Sequence, residues 1–526
     1  MTKMSCCHGI ATDFDFEWIP GTLASQRLLE ECSHLYSNHY GLWSDQHSNP
    51  SLRGKRVRLS SERLSVLVKK PNTGVYCARR GKKLVGYAIA QRNPLPGNGK
   101  AVAWVTQLVV HADFRHFGIA KSLLHSIWGF SDDYAWGLVS ANPYAVRALE
   151  KATRRRCDPV AIQKNLGVLL ALAREHIPYI DKDPELMVDT ETAKINTTFY
   201  VDHSALDIMI SHVTGADVPW TLGSVDEGWE WIAFTFYHQP QISLSQEDLQ
   251  QMLAVSDRVV KSAYNRMVLS SEQAWLGKTI EETEFIVREC GLHAGSHVID
   301  FGCGNGRHAI TLAGKGIFVT GIDYSASHIN NAIKKCASDN VSFQVADCRD
   351  VDLGKNTADA VLCLYDVIGS YVDNAENQRI LDSLYRHLKP GGTAMISVMN
   401  YDATLALAKN TFSLVSSPNV LLSLPASDTM ERTGNIFDPA YFAVDTDEQI
   451  VYRKEQFTHG SDLPVELLVR DRRFTQTEIV TMCERAGFSV CFSRPVKLGD
   501  WERSAPEGKE ILVKCQKPLP AVGCLF

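Results

Sequence analysis

A multidomain α/β chain is the fold class this sequence predicts, and three observations predict it. A glycine-rich turn lies between two apolar, strand-like runs at 297–323. A separate strand, turn and helix pattern occupies 61–157. The chain has 526 residues with 45% hydrophobic content, more than one ordinary core supports, so about two to four domains are expected. Boundaries are drawn at 1–157 for an N-terminal α+β domain, 158–255 for an α+β connector or small domain, and 256–517 for a C-terminal domain on an open sheet.

In the C-terminal domain the run Val298-Ile299-Asp300-Phe301-Gly302-Cys303-Gly304-Asn305-Gly306 ends an apolar strand in a tight turn. A helix-compatible segment follows (His308 to Leu312), then a second strand (Ile317 to Ile322) that ends in Asp323. This is a βαβ unit, and an acid about 20 residues beyond the turn can accept hydrogen bonds from both hydroxyls of a ribose. A dinucleotide site wants G-x-G-x-x-G and a pyrophosphate at the helix start. Here Asp300 precedes the first glycine; it would repel a pyrophosphate and attract an ammonium group.

These residues resemble the first motif of class I S-adenosylmethionine-dependent methyltransferases. The likeness continues through Phe343 to Cys348 as the third strand, Ala358 to Leu364 as the fourth, Leu388-Lys389-Pro390-Gly391-Gly392 as a turn and Thr393 to Val398 as the fifth. It implies a Rossmann-like, seven-stranded sheet and S-adenosyl-L-methionine as cofactor. By the same resemblance, Asp300, Gly302, Cys303, Gly304, Asp323, Tyr324, Asp347, Cys348 and Leu364 border that cofactor, Asp347 meeting the adenine amino group. Tyr264 and Arg266 are candidates for the methionine carboxylate, on a helical stretch from Asp257 to Cys290.

The N-terminal domain pairs Val75 to Ala78 with Lys83 to Arg92 across Arg80-Gly81-Lys82, a hairpin signal. A long strand, Ala101 to Val110, is followed by Arg115-His116-Phe117-Gly118-Ile119-Ala120 opening a helix through Trp128. That hexamer, with a strand at Ala135 to Ser140 and a helix starting at Asn142, resembles the GNAT acyltransferase superfamily, whose signature is Q/R-x-x-G-x-G/A. Backbone N–H groups of such a turn cradle a diphosphate if the residues are small. The resemblance implies an acetyl-CoA or another acyl-CoA held by Arg115, Gly118, Ile119 and Ala120, with Leu108, Val109 and Val110 aligning the pantetheine arm and Asn142 at the closing helix. One position departs from the pattern: Leu149 stands where many members carry a tyrosine that protonates the departing thiolate, and leucine has no proton to give. Tyr144 lies about one and a half turns earlier.

The connector carries no motif; it is read as a small α+β domain or as strands completing a neighbour, with an aromatic strand at Glu227 to Tyr237. Beyond the fifth strand, Asn400-Tyr401 sits at a carboxyl strand end, and an alternating stretch near 431–469 reads as a β insertion roofing the acceptor. Thr475 and Glu478 form a capping box, and Ser489 to Ser493 with Glu510 to Lys514 form a closing antiparallel pair.

Methyl transfer needs alignment more than a strong base, because the leaving group belongs to the cofactor. An acid or aromatic at the end of the fourth strand can orient the acceptor, which makes Tyr365, Asp366 and Tyr371 the candidate catalytic residues. Asp366 reads equally as a helix N-cap, while His308 and His328 read as helix-surface residues. There is no Asn/Asp-Pro-Pro-Tyr/Phe motif of the kind that marks amino-methylases of adenine and cytosine. With 54 basic against 60 acidic residues, no global field favours a polyanion, so nucleic acid is not indicated. Fourteen cysteines form no paired framework, and Cys303 and Cys348 fall in the cofactor site; reduced thiols and a cytoplasmic setting follow. Cys6-Cys7-His8 lacks a second ligand pair, so no metal is expected, and no apolar run reaches membrane-spanning length. The expectation is a bifunctional transferase joining methyl transfer to a small molecule or peptide, at nitrogen or oxygen, with acyl-CoA-dependent N-acyl transfer. The alternatives are an N-terminal domain that only binds or presents substrate, and a tRNA or DNA modifier.

Overall fold

Successive β-branched and aromatic runs in the N-terminal half form one eight-stranded sheet in the computed structural model. The structure describes residues 14–97, 99–177, 180, 188–215, 218–243, 245–265, 277–414, 419–429, 438–457 and 463–520. They divide into an N-terminal unit, 1–262 with 459–467, and a C-terminal unit, 263–458 with 468–526.

In the N-terminal unit the strands are β1 (Asp15–Pro20), β2 (Thr73–Arg80), β3 (Lys83–Pro94), β4 (Ala101–Val110), β5 (Ala135–Ser140), β6 (Val188–Asp189), β7 (Lys194–Phe199) and β8 (Gly228–Phe236). Their order is β1-β2-β3-β4-β5-β8-β7-β6. β2 and β3 form the expected hairpin, with Gly81 in the left-handed region at φ +56°. The one parallel contact among β1–β5 is short: β4 meets β5 only from Val102 to Val105, against Ala135 to Leu138. At that point Thr106 is an extra residue in β4, lying between the pairs Ile89–Gln107 and Ala90–Val105. Such a bulge bends the strand, and residues 107–110 continue along β3 without pairing to β5.

β8 lies antiparallel along the whole of β5, Ser140 opposite Trp231 and Ala135 opposite Phe236. The stretch 188–236 therefore extends the N-terminal sheet instead of building a sheet of its own, and the boundary drawn at 157 falls inside one unit. Periodicity could not decide this, because an apolar strand reads the same whichever neighbour it pairs with.

The C-terminal unit carries β9 (His297–Phe301), β10 (Phe318–Asp323), β11 (Val341–Val345), β12 (Ala358–Cys363), β13 (Leu388–Met399), β14 (Thr411–Phe412), β15 (Ala426–Thr429), β16 (Phe442–Asp445), β17 (Ile450–Phe457), β18 (Val465–Arg472), β19 (Ser489–Val496) and β20 (Glu510–Gln516). Seven of these form a sheet in the order β11-β10-β9-β12-β13-β20-β19. β9 to β13 are mutually parallel, and β20 enters antiparallel between β13 and β19. Alternate residues feed two cores: Ile299, Phe301, Val361 and Ile396 pack with Leu384 on one face, and Val298, Ala360, Leu362 and Met395 with Phe285 and Leu312 on the other. The chain leaves β9 toward β10 on one side and later places β12 on the other. The carboxyl ends of β9 and β12 thus flank a topological switch point, where open parallel sheets leave a crevice.

The insertion is a smaller sheet, β14-β16-β17-β15 with β18 on β17. It begins at Thr411, earlier than the expected 431, because β14 and β15 are short edge strands without a readable alternation. The first part of β18, Val465 to Leu467, expected within the insertion, is counted with the N-terminal unit, and the rest of the strand with the C-terminal one.

Gly137 sits in the middle of β5, where a Cβ would stand 2.3 Å from the Phe234 ring on β8. Gly137→Ala is expected to cost about 1–3 kcal/mol through overpacking and to lower the melting temperature by several degrees, measured by thermal denaturation. An unchanged melt would contradict the close packing of these strands.

Candidate functional site

At the carboxyl end of β9 the backbone turns through Gly302 at φ +73° and Gly304 at φ +52°. A Cβ on Gly302 would stand 2.3 Å from Val367, whereas one on Gly304 would meet nothing within 4 Å. The first glycine is required by packing, and the second leaves open space beside the loop. Asp323, the last residue of β10, ties this loop to its strand: its Oδ2 accepts the Gly304 N–H at 2.9 Å and its Oδ1 the Ser325 N–H at 2.8 Å.

Asp300 lies beneath the turn, only 3% exposed. Burial pushes its carboxyl up to about 7, and nearby Asp323 adds to this against the opposing pull of Arg307. Its Oδ2 is buried with no hydrogen-bond partner, and so is Nη2 of Arg307, the first residue of the helix Arg307–Ala313. The other nitrogen, Nη1, donates to Glu282 Oε2 at 2.5 Å and to Thr279 Oγ1 at 3.2 Å. Glu282 also binds His308 Nε2 at 2.8 Å and accepts the Tyr365 hydroxyl. One buried acceptor and one buried donor are thus left unsatisfied around the same turn. Unpaired buried charge is costly, and a zwitterionic amino-acid end would satisfy both, its ammonium on Asp300 and its carboxylate on Arg307. The donor set fits the methionine part of S-adenosylmethionine.

The other expected residues fall into two groups. Asp347, just past β11, is gripped by Arg349, with Nε on Oδ1 at 3.0 Å and Nη2 on Oδ2 at 2.7 Å. The Arg349 guanidinium lies 4.3 Å from the Tyr371 ring centroid and also reaches Glu376. Tyr324, Tyr371 and Cys348 share this neighbourhood; burial pushes all three up, Tyr371 to about 12. Tyr371 therefore stands with Asp347, apart from the Tyr365 side of the turn. Leu364 is buried at the end of β12, and Tyr365 follows it in a left-handed conformation, φ +64°, with its N–H donated to Ser397 Oγ at 2.6 Å. Asp366 begins no helix; the next one, Asn374–His387, is capped by Asp373. Burial and Asp471 push the Asp366 carboxyl up to about 6 against Arg453 and Arg473.

In the N-terminal unit, His116 and Gly118 both take left-handed conformations, φ +66° and +77°, and Gly118 caps the helix Ile119–Trp128. Left-handed residues of this kind are what a backbone anion nest uses. Ile119 is buried and Ala120 half-buried. The Arg115 guanidinium donates to the Val110 and His39 carbonyls, so it supports the end of β4. Leu108 and Val110 are half-buried on the part of β4 that has left β5. Asn142 caps the helix Pro143–Thr153, its Oδ1 accepting the Tyr144 N–H at 2.9 Å. Leu149 is fully buried, and the Tyr144 hydroxyl lies 3.0 Å from His212 Nδ1.

Residues 298–392 match the methyltransferase-domain family model, and residues 35–152 match that of the acetyltransferase (GNAT) family. The chain carries a GNAT-family domain and a methyltransferase domain. Similar curated proteins include a ubiquinone biosynthesis O-methyltransferase of Rickettsia akari, 32% identical over 22% of this chain and 47% of that one. Another is a phosphoethanolamine N-methyltransferase of Triticum aestivum, 34% identical over 22% of this chain and 23% of that one. The chain spans about half the length of the first curated relatives it matches. Among solved structures, the CcbJ methyltransferase of Streptomyces caelestis aligns at 16% identity over 49% of this chain and 96% of that one, with a TM-score of 0.37.

For the methyltransferase domain, three side chains at the turn were not anticipated in that place: Glu282, Arg307 and His308. Arg307 directly follows the third glycine, so its place at the helix start was readable. Glu282 comes from a preceding helix, Thr279–Glu289, and no local pattern points to it. His308 and His328 are buried, 5% and 7% exposed, not on a helix surface as expected, because the faces that carry them turn to Glu282 and Asp323. Of the two carboxylate candidates, Tyr264 has its carbonyl on Ser325 Oγ at 2.9 Å; Arg266, like Cys6-Cys7-His8, lies outside the described residues. Cys303 and Cys348 are free thiols. Among the described residues no group of His, Cys, Asp and Glu could hold a metal ion, and no helix is long and apolar enough to cross a membrane.

Because the Asp300 carboxyl is raised to about 7, it is protonated below that pH, and only its ionised form pairs with an ammonium. Affinity for S-adenosylhomocysteine is expected to fall by up to about tenfold per unit below pH 7, measured by calorimetry. In Asp300→Asn this slope should flatten; an unaltered profile would remove Asp300 from the site.

Proposed function

We propose that the C-terminal unit transfers a methyl group from S-adenosylmethionine to nitrogen or oxygen of a small molecule or peptide end, and that the N-terminal unit transfers an acyl group from an acyl-CoA to an amine. The chain is then a bifunctional transferase, and its free thiols suit a reducing, cytoplasmic setting. The observation that carries the first half is the matched pair of unsatisfied buried atoms, Asp300 Oδ2 and Arg307 Nη2.

In this reading Asp300 and Arg307 hold the two charges of the methionine end. Asp323 receives the ribose hydroxyls while keeping the glycine loop in place, and Asp347, set by Arg349, faces the adenine with Tyr324 and Tyr371 beside it. S-adenosylmethionine supplies a methyl group already activated on a sulfonium, so the protein's share is alignment and exclusion of water. Glu282 fixes Arg307, His308 and Tyr365 together, so the backbone after β12, where Asp366 follows, is set by the same anchor as the cofactor clamp.

The second half rests on the nest at His116 to Gly118 and on the separation of β4 from β5, which leaves main-chain groups of 107–110 for an amide-bearing arm. A specific observation favours a rival for this unit. Leu149 is sealed in the core and has no proton to give a thiolate, and the unit would then bind or present a substrate.

Arg307→Met is expected to weaken S-adenosylhomocysteine binding by about 10–100-fold, the worth of one or two hydrogen bonds to a buried charge, and Asp323→Ala by a similar factor. Full affinity in both variants would refute the cofactor site. For the N-terminal unit, acetyl-CoA should raise the melting temperature and acetylate an amine in a mass-spectrometric screen. Binding without turnover would favour the presenter.

A further inference from the structure

Lys121 stands in the first turn of the helix Ile119–Trp128, directly after the turn His116 to Gly118. It is only 7% exposed, so its ammonium must be met inside the protein. One group that meets it is Gln251, on the helix Gln246–Tyr264 of the same unit: Lys121 Nζ donates to Gln251 Oε1 at 2.6 Å. The other end of that amide is held as well, Nε2 donating to Glu247 Oε1 at 3.2 Å. Beyond Gln251 the helix stays docked on the N-terminal unit, with Ser256 Oγ 3.3 Å from His125 Nε2 and Ser262 Oγ accepting the Trp18 N–H at 3.3 Å.

The oxygen that holds Lys121 also looks onto the turn. A Cβ on Gly118 would stand 3.6 Å from Gln251 Oε1, and that is its one near neighbour among the described residues away from the adjoining chain. Glycine keeps this face bare, as a turn that admits a ligand against its backbone requires. What faces it is an amide oxygen, whose partial charge has the same sign as that of phosphate oxygens. Lys121 is thus placed between two acceptors, a neutral amide in the empty protein and a diphosphate in the loaded one. An ammonium gains more from an anion than from an amide, most of all out of water, so the diphosphate takes the lysine. The Lys121–Gln251 bond has to break for this, and its loss lowers the net affinity.

Resting on the acyl-CoA reading above, we propose that Gln251 is an internal competitor for the diphosphate: it holds Lys121 while the site is empty, and Lys121 passes from the Gln251 amide to a phosphate oxygen when an acyl-CoA binds. The helix Gln246–Tyr264 then sets how tightly the unit holds its acyl donor, although it lies outside residues 35–152, which match the acetyltransferase family.

The test titrates coenzyme A into the full chain by calorimetry. Gln251→Ala leaves the Lys121 ammonium without its amide in the empty protein, so coenzyme A is expected to bind about tenfold tighter than in the parent. In Gln251→Glu a carboxylate grips the ammonium more firmly and repels the phosphates, and binding should be about tenfold weaker. Opposite signs at one position separate competition from general damage, which would weaken both variants. Lys121→Met should itself bind more weakly than the parent, and adding Gln251→Ala to it should change affinity by less than about twofold, since no ammonium is left to contest. The proposal is overturned if Gln251→Ala binds coenzyme A no tighter than the parent, if Gln251→Glu binds it no weaker, or if the gain from Gln251→Ala survives in Lys121→Met. Uptake by Gln251→Ala with none by the parent supports it. No uptake by either chain is a separate failure, which overturns the acyl-CoA reading itself and the competition with it.

Discussion

Carboxylates held out of water at the carboxyl edge of the C-terminal sheet are the constraint on which the rest of that unit depends. Taking an ionised acid into a low-dielectric interior costs several kcal/mol even after relaxation, so each such group must be paired, neutralised or completed by a ligand. Asp323 is paired with backbone N–H groups and Asp347 with a bidentate guanidinium. Glu282 gathers three donors. Asp300 is left incomplete. The fold tolerates it because β9, which carries it, is packed on both faces, by Ile299 and Phe301 on one side and Val298 on the other.

Glu282 gives this arrangement its rigidity. It lies on the helix Thr279–Glu289, outside the sheet, yet joins the helix after the glycine turn, through Arg307 and His308, to the residue after β12, through Tyr365. Tyr365 pays for that contact with a left-handed backbone, held by its N–H on Ser397. Residues that meet the two halves of the chemistry are therefore coupled through one buried acid, and a change in that acid would disturb both.

Much of the plan is legible in the amino-acid sequence itself. The glycine run, the acids at 300, 323 and 347 and the five parallel strands have local signatures, since a turn chemistry and a strand period suffice to mark them. The Thr475–Glu478 capping box was equally legible and forms in full. What escaped was set by distant pairing. β8 joins β5 across some ninety residues of chain, and nothing in Trp229 to Phe236 says which strand it will meet. Glu282, Arg453 and Glu455 look like solvated charges on amphipathic elements, and only tertiary packing buries them. Asp366 could be a cap or a site acid by sequence; the absence of a helix after it decides against the cap.

The parting of β4 from β5 after Val105 has a consequence of its own. Among the described residues no strand pairs with Gln107 to Val110 on the side away from β3, so docking there would resemble adding one more extended ribbon to a sheet. Recognition written in main-chain atoms is indifferent to side-chain identity, so Leu108 and Val110 can drift among residues of similar bulk without erasing it. A residue unable to offer its amide, such as proline, would break the script at once.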